Sequence, residues 1–202
     1  MKYSSGVFRS TSANQSKDVK TFYVYLTKFV GFFLLLYVGS LLIIGLSSKD
    51  NFYSPFVARY LDYVTPLRQA ILGSANALVR GLGYRTNFGD KYTLIIAGGR
   101  GVRMVYSCVG YGVLSFWAAF VLANQGSFLF KVKWAFVGLA ILYVLNVLRI
   151  SLLVLADAHH WNLPFGIDHH TVFNVVAYGF IFGLMYLYAL SKKKRDLSHY
   201  EN

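Results

Sequence analysis

The stretch Trp134–Ala156 reads WAFVGLAILYVLNVLRISLLVLA and contains a single charged residue, Arg149. Three further stretches contain no Asp, Glu, Lys or Arg, namely Phe29–Leu46, Val105–Phe130 and Thr171–Ser191. Each is close to or longer than the roughly 18–20 apolar residues that cross a bilayer as a helix. We therefore predict an all-α integral membrane protein with about four transmembrane helices. The predicted spans are residues 29–46, 108–128, 134–156 and 171–191.

The composition agrees with a membrane protein. Hydrophobic residues make up 56% of the chain and the mean hydropathy is +0.47, both above what soluble domains carry. The net charge of +12 is explained by basic flanks of membrane helices, so we predict the lipid bilayer as a partner and no nucleic acid. The single cysteine, Cys108, excludes an internal disulfide, and the polar first twenty residues do not form a cleavable signal.

The basic residues also predict the orientation of the spans. They cluster in the N-terminal tail, between the second and third spans (Lys131 and Lys133) and after the fourth (Lys192–Arg195), whereas Asp157–His170 has none. By the positive-inside rule both termini lie in the cytoplasm, and the outer segment 47–107 is too long for its eight basic residues to decide otherwise. We predict a disordered cytoplasmic tail (1–21), a membrane domain (22–191) and a basic cytoplasmic tail (192–202).

The outer segment has predicted structure of its own. Apolar residues recur at helical spacing from Pro55 to Leu82, with Arg68 among the polar residues between them, which predicts an amphipathic helix lying on the membrane. Two short strands, Tyr92–Ile96 and Val102–Tyr106, then flank a glycine-rich turn. This pattern predicts a β-hairpin directly before the cysteine.

Three reactive residues fall at one depth on the outer side in this topology. Cys108 begins the second span, His170 lies in the first turn of the fourth, and Arg149 lies roughly 10 Å below the outer boundary at about 1.5 Å per residue. An imidazole can accept a thiol proton, and a guanidinium can stabilise a thiolate or an oxyanion. Each residue also has a structural interpretation: a small apolar filler for Cys108, a buried ion for Arg149 and an interfacial polar group for His170.

A metal site is a competing interpretation of the histidine-rich loop. Its candidate ligands would be Asp157, His159, His160, Asp168, His169 and His170. No HExxH pair is present, and adjacent histidines seldom bind one ion together. We therefore predict no metal and no cofactor.

The surroundings of the three residues resemble the exosortase/archaeosortase family of membrane cysteine transpeptidases. The family pattern of Cys, a small residue and Gly appears as Cys108-Val109-Gly110, and its Asn-x-x-Arg motif appears as Asn146-Val147-Leu148-Arg149. A histidine at the start of the final span corresponds to His170, with His169 as the alternative. The sequence departs from the pattern at Val109 and at Asn174, where Gly is common. The resemblance covers roughly Tyr84–Tyr188.

The resemblance implies a specific reaction at the outer face of a prokaryotic inner membrane. Cys108 would be the nucleophile, His170 the acid/base and Arg149 the stabilising cation, with Gly110 and Asn146 in support. The partners would be exported proteins that carry a C-terminal sorting tail of a short motif, a membrane helix and a basic cluster. Two alternatives remain open: a non-enzymatic scaffold in surface-polymer assembly, and a metal-dependent membrane hydrolase.

Overall fold

The computed structural model of the chain describes the backbone of residues 5–48, 52–160 and 169–198, and the side chains of 19–48, 52–160, 175–195 and 197. The elements in this part of the chain are α1 (Ser5–Ser47), α2 (Pro55–Tyr60), α3 (Val64–Gly81), β1 (Thr86–Asp90), β2 (Thr93–Ile96), β3 (Val102–Arg103), α4 (Tyr111–Ala123), α5 (Phe128–Ala158) and α6 (His169–Ser198). A 3₁₀ turn, Tyr106–Val109, precedes α4 and contains Cys108. We call it the cysteine turn.

Four helical segments among the described residues are long and apolar enough to cross a membrane. They are Val19–Ser47, Tyr106–Ala123, Phe128–Ala158 and Val175–Arg195. Many of their large apolar side chains point away from the protein, such as Leu35, Phe136 and Phe182, each about two thirds exposed or more. The prediction of a mainly helical membrane protein with about four spans, a further helix before the cysteine and a short hairpin is confirmed.

The helices alternate in direction, as contacts at the two ends show. The end of α5 meets the sheet, where the Gly101 N–H donates a 2.9 Å hydrogen bond to Asp157 Oδ2. At the opposite end, Arg195 near the end of α6 donates a 3.2 Å hydrogen bond to Ser127 Oγ and lies 4.3 Å from the ring centroid of Phe130. The cysteine turn and the end of α5 therefore share one end of the bundle, which we call the sheet end.

The predicted helix over Pro55–Leu82 is present but differs from the prediction in two respects. It is interrupted between α2 and α3, where the Asp62 carboxylate accepts a 3.0 Å hydrogen bond from the Thr65 N–H and starts a new helix, with Pro66 tolerated in its first turn. The apolar face of α3 is also covered by protein instead of facing a membrane surface. Its buried residues pack in one cluster with β2, the cysteine turn and α5 (Val64, Ile71, Leu72, Ala75 and Val79).

The predicted hairpin is present, but it belongs to a three-stranded antiparallel sheet in the order β1-β2-β3. The pairing joins Thr86 to Ile96 and Leu94 to Val102. Strand β1 was not predicted because its sequence lacks an alternation of apolar and polar residues. Only its first residue is buried, so its packing does not require such an alternation.

Two boundaries also differ from the prediction. Helix α1 begins at Ser5, so most of the stretch 1–21 expected to be disordered is helical, since extending an existing helix costs far less than nucleating one. The turn between the second and third spans lies at residues 124–127, earlier than predicted, so that Lys131 and Lys133 are inside α5. The ammonium of Lys131 reaches back to donate a 3.0 Å hydrogen bond to the Leu122 carbonyl.

A second apolar cluster holds the membrane helices together away from the sheet. Its buried members come from α4, α5 and α6 (Trp117, Phe120, Val121, Leu142, Ile181, Leu184 and Tyr188). Trp117 is completely buried and donates a 3.2 Å hydrogen bond to the Trp134 carbonyl. Its ring occupies the space that a side chain at Gly138 would need. Close packing of α4 on α5 thus depends on a glycine, as is common between membrane helices.

Candidate active site

The cysteine turn joins the sheet to α4. The Cys108 N–H donates a 3.0 Å hydrogen bond to the Val105 carbonyl, and the turn ends at Gly110, whose φ of 77° lies in the left-handed region. Glycine adopts that conformation without the steric cost that other residues meet, which explains a glycine at this position. Cys108 is 4% exposed, whereas its neighbour Ser107 is exposed.

Asn146 connects this turn to α5. Its side-chain Nδ2 donates a 2.8 Å hydrogen bond to the main-chain carbonyl of Val109, the residue after the cysteine. A Cβ atom at Gly110 would lie 2.9 Å from the same Nδ2 atom. The glycine therefore permits both the left-handed backbone and the close approach of the asparagine. Asn146 is 7% exposed, so this bond satisfies a polar side chain that burial would otherwise penalise.

Arg149 lies one helical turn after Asn146 and on the same face of α5. Its side chain carries a charge but is only 6% exposed, and its neighbours in sequence are apolar. A guanidinium in a membrane-spanning helix is costly to bury and typically faces a polar cavity or partner inside the protein. The two polar residues of the motif thus project from α5 toward the beginning of α4.

A cavity of about 420 Å³ lies beside the cysteine turn. Asn146 and Arg149 form part of its wall, together with Ser107 and Gly110 on either side of Cys108. Three tyrosines complete much of the remaining lining (Tyr37, Tyr111 and Tyr178). The Cys108 side chain itself is buried in the first apolar cluster, which it shares with α3, β2 and α5, and does not line the cavity. The cavity therefore offers hydrogen-bond donors and a cation beside the turn that contains Cys108.

The two candidate acid/base histidines, His169 and His170, are the first two residues of α6. Their side chains lie outside the described residues. Ala177 and Tyr178, about two turns further along α6, line the same cavity as Arg149. The choice between His169 and His170 stays a prediction.

Two of the candidate metal ligands make other contacts. Asp157 accepts the hydrogen bond from Gly101, and His159 Nε2 lies 2.9 Å from the hydroxyl of Tyr84. Both side chains fasten the end of α5 to the segment around the sheet. Within the residues that the structure describes, His, Cys, Asp and Glu form no group of three or more able to hold a metal ion. Asp168 lies outside those residues.

Arg68 was assigned by sequence to a polar helix face and is instead buried, with 4% exposure. Its guanidinium lies 3.6 Å from the ring centroid of Tyr92 and 4.8 Å from that of Tyr106, the first residue of the cysteine turn. A signal was available in the sequence, because Arg68 is spaced four residues from Val64 and from Leu72, both apolar and buried. The residue shares their face of α3.

Comparison with known families agrees with this arrangement. A transmembrane exosortase family model matches residues 51–187, about two thirds of the chain, from the connecting segment before α2 into α6. No curated protein and no solved structure matches significantly. The match includes the cysteine turn, the Asn146-x-x-Arg149 motif and the start of α6. The chain is a multi-pass membrane protein that belongs to the transmembrane exosortase family.

Proposed function

We propose that this protein is a membrane cysteine peptidase or transpeptidase that cleaves C-terminal sorting signals of exported proteins. The observation that carries the proposal is the Asn146–Val109 hydrogen bond, because it joins the cysteine turn to the helix that bears Arg149 at the wall of one cavity. Family membership supports action on exported proteins in a membrane. The short motif in the substrate tail and the surface acceptor belong to the proposal as expectations of the resemblance.

In the proposed reaction, His170 accepts the proton of the Cys108 thiol, and the thiolate attacks the carbonyl carbon of the scissile peptide bond. Arg149 stabilises the negative charge that develops on the carbonyl oxygen. The C–N bond then breaks, His170 returns the proton to the leaving amine, and an acyl thioester remains on Cys108. A surface nucleophile or water attacks the thioester and releases the cysteine.

The proposed site faces outward from a prokaryotic inner membrane. Lys131 and Arg195 lie together at the end of the bundle opposite the sheet, which supports a cytoplasmic position for that end under the positive-inside rule. Because Cys108 is the only cysteine and is buried, a membrane-impermeant thiol reagent applied to intact cells tests this orientation when the exposed Ser107 is replaced by cysteine on the Cys108→Ala background. If labelling occurs only after the membrane has been permeabilised, so that the reagent reaches the cytoplasmic side, the proposed orientation is contradicted.

The function is tested by co-expressing the protein with a substrate that carries a sorting tail. Cys108→Ala and Arg149→Gln are expected to leave the substrate full length, and of His169→Ala and His170→Ala only the latter is expected to do so. His160→Ala is the matched control, since His160 is exposed and lies outside the proposed site. Normal processing by Cys108→Ala would overturn the proposal.

Burial of Cys108 in an apolar cluster favours a second candidate, a non-enzymatic scaffold in surface-polymer assembly. In that case Cys108→Ser and His170→Ala would be silent, and Arg149→Ala would only lower the stability of the protein. The same set of variants therefore separates the two functions.

A further inference from the structure

The part of the chain between α1 and α4 contains a buried cation that the proposed chemistry does not use. Arg68 is in the middle of the buried face of α3, and its guanidinium packs against two tyrosine rings at 3.6 and 4.8 Å. Its Nε atom is buried and has no hydrogen-bond partner among the described residues. Burial lowers the pKa of Arg68, while the neighbouring Tyr92 and Tyr106 act in the opposite direction. An arginine stays charged under such conditions.

The two rings come from different parts of the fold. Tyr92 lies in the turn between β1 and β2, whereas Tyr106 begins the cysteine turn, two residues before Cys108. A guanidinium within about 6 Å of a ring centroid is attracted to the ring face, and the attraction increases when water is excluded. Arg68 therefore joins α3, the sheet and the cysteine turn at one point.

The cysteine turn is held differently at its two ends. Its far end is anchored by the bond from Asn146 to Val109, whereas Tyr106 at its near end packs against the first apolar cluster and against the Arg68 cation. Asp90 and Arg103, which also act electrostatically on Arg68, belong to the sheet and not to the turn. The ring of Tyr106 is thus the direct contact between Arg68 and the cysteine turn.

We propose that Arg68 is a positioning residue for the nucleophile, holding the cysteine turn in place through the ring of Tyr106. The inference rests on the proposed function for its catalytic meaning, but the positioning itself is independent of any substrate. When the cation is removed, the turn opens more often, which exposes the buried thiol to small reagents and misplaces it for reaction with a substrate. Alkylation should become faster while processing becomes slower.

The single cysteine makes the test specific, because alkylation of the full-length protein reports Cys108 alone. Arg68→Met keeps much of the side-chain volume and removes the buried charge. We expect the alkylation rate to rise about tenfold in this variant, which corresponds to about 1.4 kcal/mol. Arg80→Met, in the exposed last turn of the same helix, is the matched control and should leave the rate unchanged.

A double-mutant cycle separates positioning from general packing. If Arg68 acts through Tyr106, Tyr106→Leu raises the alkylation rate to a similar extent, and Arg68→Met adds little on that background. Tyr106→Phe keeps the ring and should behave like the parent protein. Arg68→Lys, which keeps the charge without the planar stack, should rescue the rate in part. Thermal unfolding of each variant shows whether the whole protein, rather than the turn alone, has been destabilised.

The outcomes are distinguishable from a failure of the proposed function. Additive effects of Arg68→Met and Tyr106→Leu, or a parental alkylation rate in folded Arg68→Met, would overturn the positioning role. Processing by Cys108→Ala would overturn the enzymatic function and leave the alkylation result valid. Slower processing with faster alkylation, in a variant that melts at the parental temperature, is the result that supports the inference.

Discussion

Asn146 in α5 donates a 2.8 Å hydrogen bond from its side-chain amide to the main-chain carbonyl of Val109, 37 residues earlier in the chain. The bond reaches the backbone next to Cys108 from the same helix face that carries Arg149. The Asn-x-x-Arg motif therefore has two separable parts. The asparagine fixes the backbone of the cysteine turn, and the arginine supplies charge at the cavity.

Removing the amide is expected to loosen the turn. Asn146→Ala leaves the buried Val109 carbonyl without this partner, which typically costs about 1–3 kcal/mol of stability. We expect lower thermal stability and a large loss of substrate processing, measured on purified protein and by co-expression. Asn124→Ala is the control, because Asn124 donates a local 2.8 Å bond to the Phe120 carbonyl at the opposite end of α4. Equal loss of processing in both variants would show that the position of Asn146 has no special role.

Gly110 combines a left-handed backbone with a close neighbour. Gly110→Ala adds about 1–2 kcal/mol of backbone strain and also forces the Asn146 side chain aside. Gly98→Ala is a matched control, since Gly98 has a φ of 93° but a Cβ added there would have no neighbouring atom within 4 Å. We expect both variants to be destabilised and only Gly110→Ala to lose processing. Full activity of Gly110→Ala would mean that the asparagine contact is dispensable.

Chelation and alkylation separate the cysteine mechanism from a metal mechanism. Asp157 and His159 are engaged with Gly101 and Tyr84, so a metal chelator is expected to leave substrate processing unchanged. A thiol reagent that modifies Cys108 is expected to abolish it. Loss of processing with the chelator, together with indifference to the thiol reagent, is the pattern that would favour the metal-dependent hydrolase. Both treatments are applied to the same membranes. Membranes with the Cys108→Ser variant serve as the control that lacks the thiol.

The contact between Gly138 and Trp117 predicts a defect in folding without a direct effect on chemistry. Gly138→Ala places a methyl group where the indole ring lies, and overpacking of this kind typically costs about 1–3 kcal/mol. We expect a lower melting temperature in detergent, with residual processing proportional to the amount of folded protein. Gly183→Ala in α6 has open space around the new methyl and should be neutral. A stable Gly138→Ala protein would show that α4 and α5 can separate without penalty.

The spans were predictable because the bilayer imposes a length and an apolar composition that the sequence reveals directly, as at Trp134–Ala156. The hairpin was predictable from its glycines and short apolar strands. The burial of Arg68 was not predicted, because a charged residue was assigned to solvent before its ring partners, Tyr92 and Tyr106, were known to lie beside it. Likewise the partner of Asn146 is a main-chain carbonyl, which every residue possesses and no side-chain pattern identifies.

In the candidate site, too, residue chemistry was predictable from the sequence, whereas contacts of the folded backbone were not. Cys108 and Arg149 were selected by their chemistry and their shared depth, and the structure places their neighbours around one cavity. The depth argument also applies to His170, whose side chain lies outside the described residues. Contacts that depend on backbone geometry, such as the one that requires Gly110, emerge only when the chain is folded.

The bond between Asn146 and Val109 also has a consequence for biosynthesis. Ribosomes deliver α4 to the membrane before α5, so the cysteine turn reaches the membrane before the amide that will anchor it has been inserted. Cys108 and its turn therefore lack this anchor until the third span is inserted and docked against the second. A nascent chain truncated between these helices would carry the thiol but not its anchor.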